Sequence, residues 1–313
     1  MKRYTEDRDG FGFVALTYPF NIKDALYIGQ SSRPIEDYID YINYNNIEKA
    51  QVEITDLDFL KLCPSLQFLR ITIPEDFEGK VDFQGLYNLK YIKQLSLQNV
   101  SGRRNNIVHE CSLENLQGLE YLGIEVNKGT NYFNNITTLK SLNVSKYVGT
   151  NKDLTNLSDL KELDTLTLIQ CKMESLNGIG NLNKIQCLYL YHNRSLKDIA
   201  ALGEATKTLK ALRIDSCSKI EDFSVLEKLE NLELLQLSGN NKLPNLNFLK
   251  GMKNLKTFDF NMNVLDGDLS LCMNIGCVFS DINRKQYNIK DEDLPKGHYV
   301  RGNEDIEEWR RLE

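Results

Sequence analysis

Residues 185–193 read IQCLYLYHN, and 24 residues further on residues 209–217 read LKALRIDSC. Both stretches carry an apolar residue at the first, fourth and sixth positions and end on a small side chain able to hydrogen-bond, Asn193 or Cys217. The frame extends outward from this pair. Downstream lie LELLQLSGN from Leu232 and LKTFDFNMN from Leu255; upstream lie LDTLTLIQC from Leu163, LKSLNVSKY from Leu139, LEYLGIEVN from Leu119, IKQLSLQNV from Ile92 and LQFLRITIP from Leu66. Successive starts are 26, 27, 20, 24, 22, 24, 23 and 23 residues apart. A recurrence at that period means stacked structural units, each too small to bury its apolar face alone.

Strand alternation assigns a direction to each position. The fourth and sixth residues enter a core, and the third, fifth and seventh leave the opposite face. The ninth position holds Asn127, Cys171, Asn193, Cys217, Asn240 and Asn263. Where strand turns into loop, backbone N–H and C=O groups lose their ladder partners; a buried Asn amide replaces both, and Cys is its small, weakly polar substitute. These six residues are therefore expected to form a structural ladder.

The stretch SKIEDFSVLEKLENLELLQLSGNN, residues 218–241, resembles the repeat of internalin-type leucine-rich-repeat proteins, in which an apolar-Asp-apolar turn follows the Asn. SLKDIAALGEATKTLKALRIDSC, residues 195–217, matches it less closely. About a dozen residues separate each ninth position from the next strand, enough for short 3₁₀ or irregular turns. The expected fold is an α/β solenoid: a leucine-rich-repeat horseshoe with a curved parallel β-sheet on its concave face, short turns on its convex face, and a cap at each end.

Residues 1–46 differ in kind. FGFVALTY has the composition of a strand, and after Ser31, Ser32 and Pro34 the residues Ile35, Tyr38, Ile39 and Ile42 recur at helical spacing. This segment is expected to cap the first repeat. Residues 47–283 are the expected solenoid, with IEKAQVEIT from Ile47 and NIGCVFSDI from Asn274 as degenerate terminal repeats. Residues 284–313 are expected to fold back as the other cap, with Asn303 as N-cap and Ile306 and Trp309 on one helical face.

The 313 residues include 44 acidic and 38 basic ones, a formal net charge of -6. Nucleic-acid binders neutralise phosphates with clustered Lys and Arg, so that partner class is disfavoured. No apolar run of signal-peptide or membrane-span length occurs and no wall-anchoring tail is present, so the expected location is cytoplasmic. The seven cysteines lack framework spacing and read as reduced thiols.

Chemistry is poorly supplied. Three histidines occur without HExxH, CxxC or P-loop motifs, and no second pair completes a zinc site with Cys272 and Cys277. No metal, cofactor or catalytic residue is expected, and DGFGF around Gly10 and Gly12 reads as a turn into a strand. An enzyme site would have to use Asp7, Asp9 and Tyr18.

The expected function is protein binding on the concave face. Side chains at equal positions in adjacent repeats are neighbours, so Tyr189 should lie beside Arg213, and Tyr191 beside Ile169 and Asp215. With Glu125, His192, Gln236 and Asp259 these residues form the expected partner surface, since interface energy concentrates in Tyr, Trp and Arg anchors. The surface loop carrying Arg103 and Arg104 is the competing site. An inhibitor or immunity protein that occludes a toxin or enzyme needs no output domain; an adaptor joining several proteins is the alternative.

Overall fold

A computed structural model describes residues 6–16, 22–29, 33–74, 77, 81–99, 111, 113–116, 118–126, 136–280 and 283–300. The chain divides into two compact units, one of Met1–Asn127 and Asn131–Val144, the other of Lys128–Thr130 and Ser145–Glu313. Each stacks parallel strands, one per repeat, joined through short 3₁₀ turns.

In the first unit β1 (Glu6–Arg8) and β2 (Phe11–Leu16) form an antiparallel hairpin. Its two-residue turn, Asp9 and Gly10, has φ of 54° and 82°, the left-handed pair that matches strand twist. DGFGF is thus a turn into a strand, as its sequence implies. β3 (Ile22–Ile28) pairs antiparallel with β2 and parallel with β4 (Lys49–Val52). Between them, α1 (Ile35–Asn45) buries Tyr38 and Ile42 and ends at Asn46, whose φ of 51° lets its N–H return to the Ile42 carbonyl. Phe11 packs against this helix, its ring 4.0 Å from that of Tyr41. β5 (Phe68–Ile73), β6 (Gln94–Asn99) and β7 (Tyr121–Glu125) continue the parallel ladder, and β8 (Ser141–Ser145) lies at the unit boundary.

The second unit carries β9 (Thr165–Ile169), β10 (Cys187–Tyr191), β11 (Ala211–Asp215) and β12 (Leu234–Ser238). After these come β13 (Lys242–Leu243), β14 (Thr257–Phe260), β15 (Asn263–Val264) and β16 (Cys277–Phe279). β13 and β15 pair as a separate two-stranded sheet; the others pair in chain order. Positions four and six are buried throughout, from Leu166 and Leu168 to Phe258 and Phe260. Most of the 3₁₀ turns follow an Asp or Asn whose side chain accepts the N–H two residues on: Asp198 for Ala200, Asp222 for Ser224, Asn245 for Asn247, Asp268 for Ser270. This is the physical content of the apolar-Asp-apolar signature, a carboxylate that starts the turn by satisfying a donor that would otherwise be unpaired.

The strand ends by one repeated device. Position eight, occupied by Lys146, Gln170, His192 and Ser216, has φ between 53° and 60°. Each of these residues donates its N–H to the position-seven carbonyl of the next repeat, at Ile169, Tyr191, Asp215 and Ser238. The left-handed step swings position nine inward. Asn193, fully buried, accepts the Cys171 N–H at 2.7 Å and donates to the Leu168 carbonyl at 2.9 Å. Cys217 directs its thiol to the Leu190 carbonyl.

Two expected rungs are corrected. Asn240 is exposed; the rung is Asn241, which is buried and donates to the Cys217 and Ile220 carbonyls at 3.1 and 2.8 Å. Position eight here is Gly239, whose φ of 125° gives a wider turn that takes in one more residue before the chain points inward. Its N–H goes to the Asn261 side chain rather than to a backbone carbonyl. Asn263 is half-buried on β15, because the chain resumes strand alternation there and Met262 takes the inward place. Asn127 lies outside the described residues.

Candidate functional site

The parallel register places the expected partner residues as the repeat frame requires. Tyr189 pairs with Thr167 on one side and Arg213 on the other, Tyr191 with Ile169 and Asp215, and Gln236 with Arg213 and Asp259. The Arg213 guanidinium sits over the Tyr189 ring, 5.0 Å from its centroid. Burial pulls the Arg213 pKa down, and the surrounding hydroxyls of Tyr189, Tyr191 and Tyr299 more than offset this, so its charge is held.

Exposure separates these residues. Tyr191, Ile169, Arg213, Asp215, Gln236 and Asp259 are half-buried, whereas Tyr189 is 7% exposed. The expectation that Tyr189 stands open on the face is thereby corrected. It packs in an apolar cluster with Cys187, Ala211 and Leu234, against which Tyr191 and Val300 rest. Cys187, Ala211 and Leu234 are third-position residues, and Val300 comes from the far end of the chain. His192 is exposed but belongs to the left-handed turn beyond β10, not to the strand face. Glu125 lies on β7 in the first unit, half-buried.

The sequence reading missed the cover. Tyr299 donates its hydroxyl to Asp259 at 3.0 Å and packs its ring 5.7 Å from Phe279, and the Val300 N–H donates to Thr257 at 3.0 Å. A signal for it was present. The third position faces away from the core, yet it holds Cys187, Ala211 and Leu234, and an apolar row on a solvated strand face implies something lying over it.

Other candidates are placed without converging. Asp7 and Asp9 are exposed on the β1–β2 hairpin, Asp9 accepting the Tyr41 hydroxyl at 3.5 Å, while Tyr18 lies outside the described residues. Cys272 and Cys277 are fully buried, and burial pushes both thiols up, Cys272 to about 12. None of the seven cysteines forms a disulfide. Arg103 and Arg104 lie outside the described residues. Among the described residues no helix is long and apolar enough to cross a membrane.

Comparison with known proteins finds similar solved structures. An internalin (InlF) from Listeria monocytogenes superposes with a TM-score of 0.57 at 19% identity, covering 81% of this chain and 74% of that one. The fold is a leucine-rich-repeat solenoid of internalin type. The functional domain of InlJ from the same organism is also similar, with a TM-score of 0.49 at 17% identity over 72% of this chain and 46% of that one. A candidate adenylate cyclase regulatory protein of Trypanosoma equiperdum is 32% identical over 131 residues, 40% of this chain. The match spans 19% of that relative's length. No protein-family profile matches the chain.

Proposed function

We propose that this leucine-rich-repeat chain is a non-enzymatic protein-binding solenoid that holds a protein partner on the sheet face of its second unit, the side the repeat frame assigns to the concave surface. The observation that carries the reading is the register of Tyr191, Arg213, Asp215 and Gln236 on adjacent strands, aromatic and charged groups half-open on a rigid ladder. Such a surface has the chemistry of an interface centre, and strands hold its geometry better than loops would. The trypanosomal relative is described as regulatory, a role that binding to another protein can serve. Within this proposal β1–β3 and α1 cap the first repeat and residues 284–300 cap the last, the buried free thiols suit a reducing cytoplasm, and no cofactor is used.

The sharper form is an inhibitor or immunity protein that occludes one partner. An adaptor is the second reading, favoured by a separate apolar cluster in the first unit, where Val14, Leu16 and Ala25 carry Tyr27 and Tyr121 against them. Affinity capture with mass spectrometry distinguishes the two: one stoichiometric partner for the inhibitor, several for the adaptor. Tyr191→Ala is expected to weaken capture by about 2 kcal/mol, roughly thirtyfold, while thermal stability barely moves. A variant with Arg103 and Arg104 both changed to Ala is the control. Loss of binding in that control with normal binding by Tyr191→Ala would move the site to those two arginines.

A further inference from the structure

The end of the described chain crosses the face just assigned to a partner. At the edge strand β16 it runs antiparallel, Lys296 opposite Cys277, with the Val278 N–H donating to the Pro295 carbonyl at 2.7 Å and the Gly297 N–H to the Gly276 carbonyl at 3.0 Å. It then leaves the edge. Tyr299 reaches Asp259 and Val300 reaches Thr257, both on β14, and the Val300 side chain lies on the Cys187, Tyr189, Ala211 and Leu234 cluster of β10–β12. Within four residues the chain has passed from the edge strand onto the face of the strands beside it.

Two features of the floor match this segment. The Asp259 carboxylate receives the phenol, with Arg213 in the neighbouring field, and Tyr299 is correspondingly pushed up to about 12 by burial and by Asp259. The third-position row gives Val300 an apolar floor. Among the described residues the attachment beyond the edge includes two hydrogen bonds and an aliphatic contact, each of a kind that a competing segment of the same chemistry can replace.

We propose that residues 296–300 are a resident strap, and that this face recognises an extended segment of a protein partner bearing an aromatic hydroxyl followed by an aliphatic side chain, which binds by displacing the strap. The inference rests on the face being a partner site and adds what the partner presents and what it must remove. Occupancy by the strap lowers apparent affinity by the fraction of molecules in which the face is open.

Cys187 is a built-in reporter. It is a fully buried member of the cluster on which Val300 rests, its thiol raised to about 12 by burial, whereas Cys171 and Cys217 belong to the ladder. The experiment compares the full chain with a Tyr299→Ala/Val300→Asp variant. A small thiol reagent, read site by site by mass spectrometry, should modify Cys187 at least about tenfold faster in the variant, with Cys171 and Cys217 unchanged. A fluorescent synthetic peptide of residues 294–303 should bind the variant at least about tenfold more tightly than the wild type, and lose that binding when its Tyr is replaced by Ala. If the double variant unfolds, all three thiols accelerate together, and Tyr299→Phe replaces it, with a smaller rise at Cys187 alone expected. Equal labelling of Cys187 in wild type and folded variant, or equal peptide binding, overturns the strap. So does a wild-type dimer in sedimentation that the variant dissolves, because the segment would then be exchanged between copies. If Tyr191→Ala leaves partner capture intact while Cys187 labelling still rises, it is the partner site that fails, not the strap.

Discussion

The first unit's β5 and β6 run six residues each, and the second unit's β9 to β12 run five. The difference lies at position eight. In β5 that position is Ile73, buried and still in the strand, and a β-branched residue resists left-handed φ. In the second unit it is Gln170, His192, Ser216 or Gly239, all with positive φ, and the strand stops one residue earlier. The stop turns position nine inward after Gln170, His192 and Ser216, and position ten after Gly239, and creates the ladder. Starts 22 to 24 residues apart follow there, against 26 and 27 between the first three repeats.

The largest effect should come from what both units share. Leu97→Ala and Leu190→Ala each empty a buried sixth position and are expected to cost about 2 to 5 kcal/mol in chemical denaturation. A much smaller loss at Leu97 alone would show the first unit's core to be looser than the second's. The ladder is next. Asn193→Ala removes partners from the Cys171 N–H and the Leu168 carbonyl, and Asn241→Ala from the Cys217 and Ile220 carbonyls; each should cost roughly 1 to 3 kcal/mol. Asn240→Ala, at an exposed position, should stay within about 0.5 kcal/mol. The reverse order would restore the rung to Asn240.

Gly239→Ala tests the turn itself. A Cβ there would meet the Ser216 backbone at 3.1 and 3.2 Å, with φ in a region side chains avoid, and about 1 to 3 kcal/mol of destabilisation is expected from the thermal midpoint. An unchanged midpoint would mean the turn can relax into the left-handed form of its neighbours. The smallest effect is electrostatic. Hydrogen bonds from Lys152 and Lys197 hold the Glu174 carboxyl down at about 2, against an ordinary value of 4.5. A depressed carboxylate stabilises above its unfolded pKa and loses that contribution as pH falls from about 4.5 towards 2. Glu174→Gln should therefore match the wild type near pH 2 and be slightly less stable at neutral pH, by an amount that added salt shrinks because the pairs are exposed.

The neighbours of Tyr189, Tyr191 and Arg213 were legible because a parallel ladder at fixed period equates sequence position with place in the sheet. Asn193 was legible for the same reason, as were the turn carboxylates. The slip from Asn240 to Asn241 was not, since it depends on which φ Gly239 adopts, and glycine permits several. Nor was the burial of Tyr189, because its cover comes from residues more than a hundred positions away.

The repeat period and the apolar fourth and sixth positions determined the solenoid from sequence alone, because a unit that cannot bury its own leucines must stack on a copy of itself. Tertiary structure decided which part of the outward face remains available. Tyr299 and Val300 carry no periodic signal, and their place on Asp259, Thr257 and the third-position row follows from how the chain leaves its last strand. Repetition writes local neighbours into a sequence, whereas a single long-range contact has no period by which to be read.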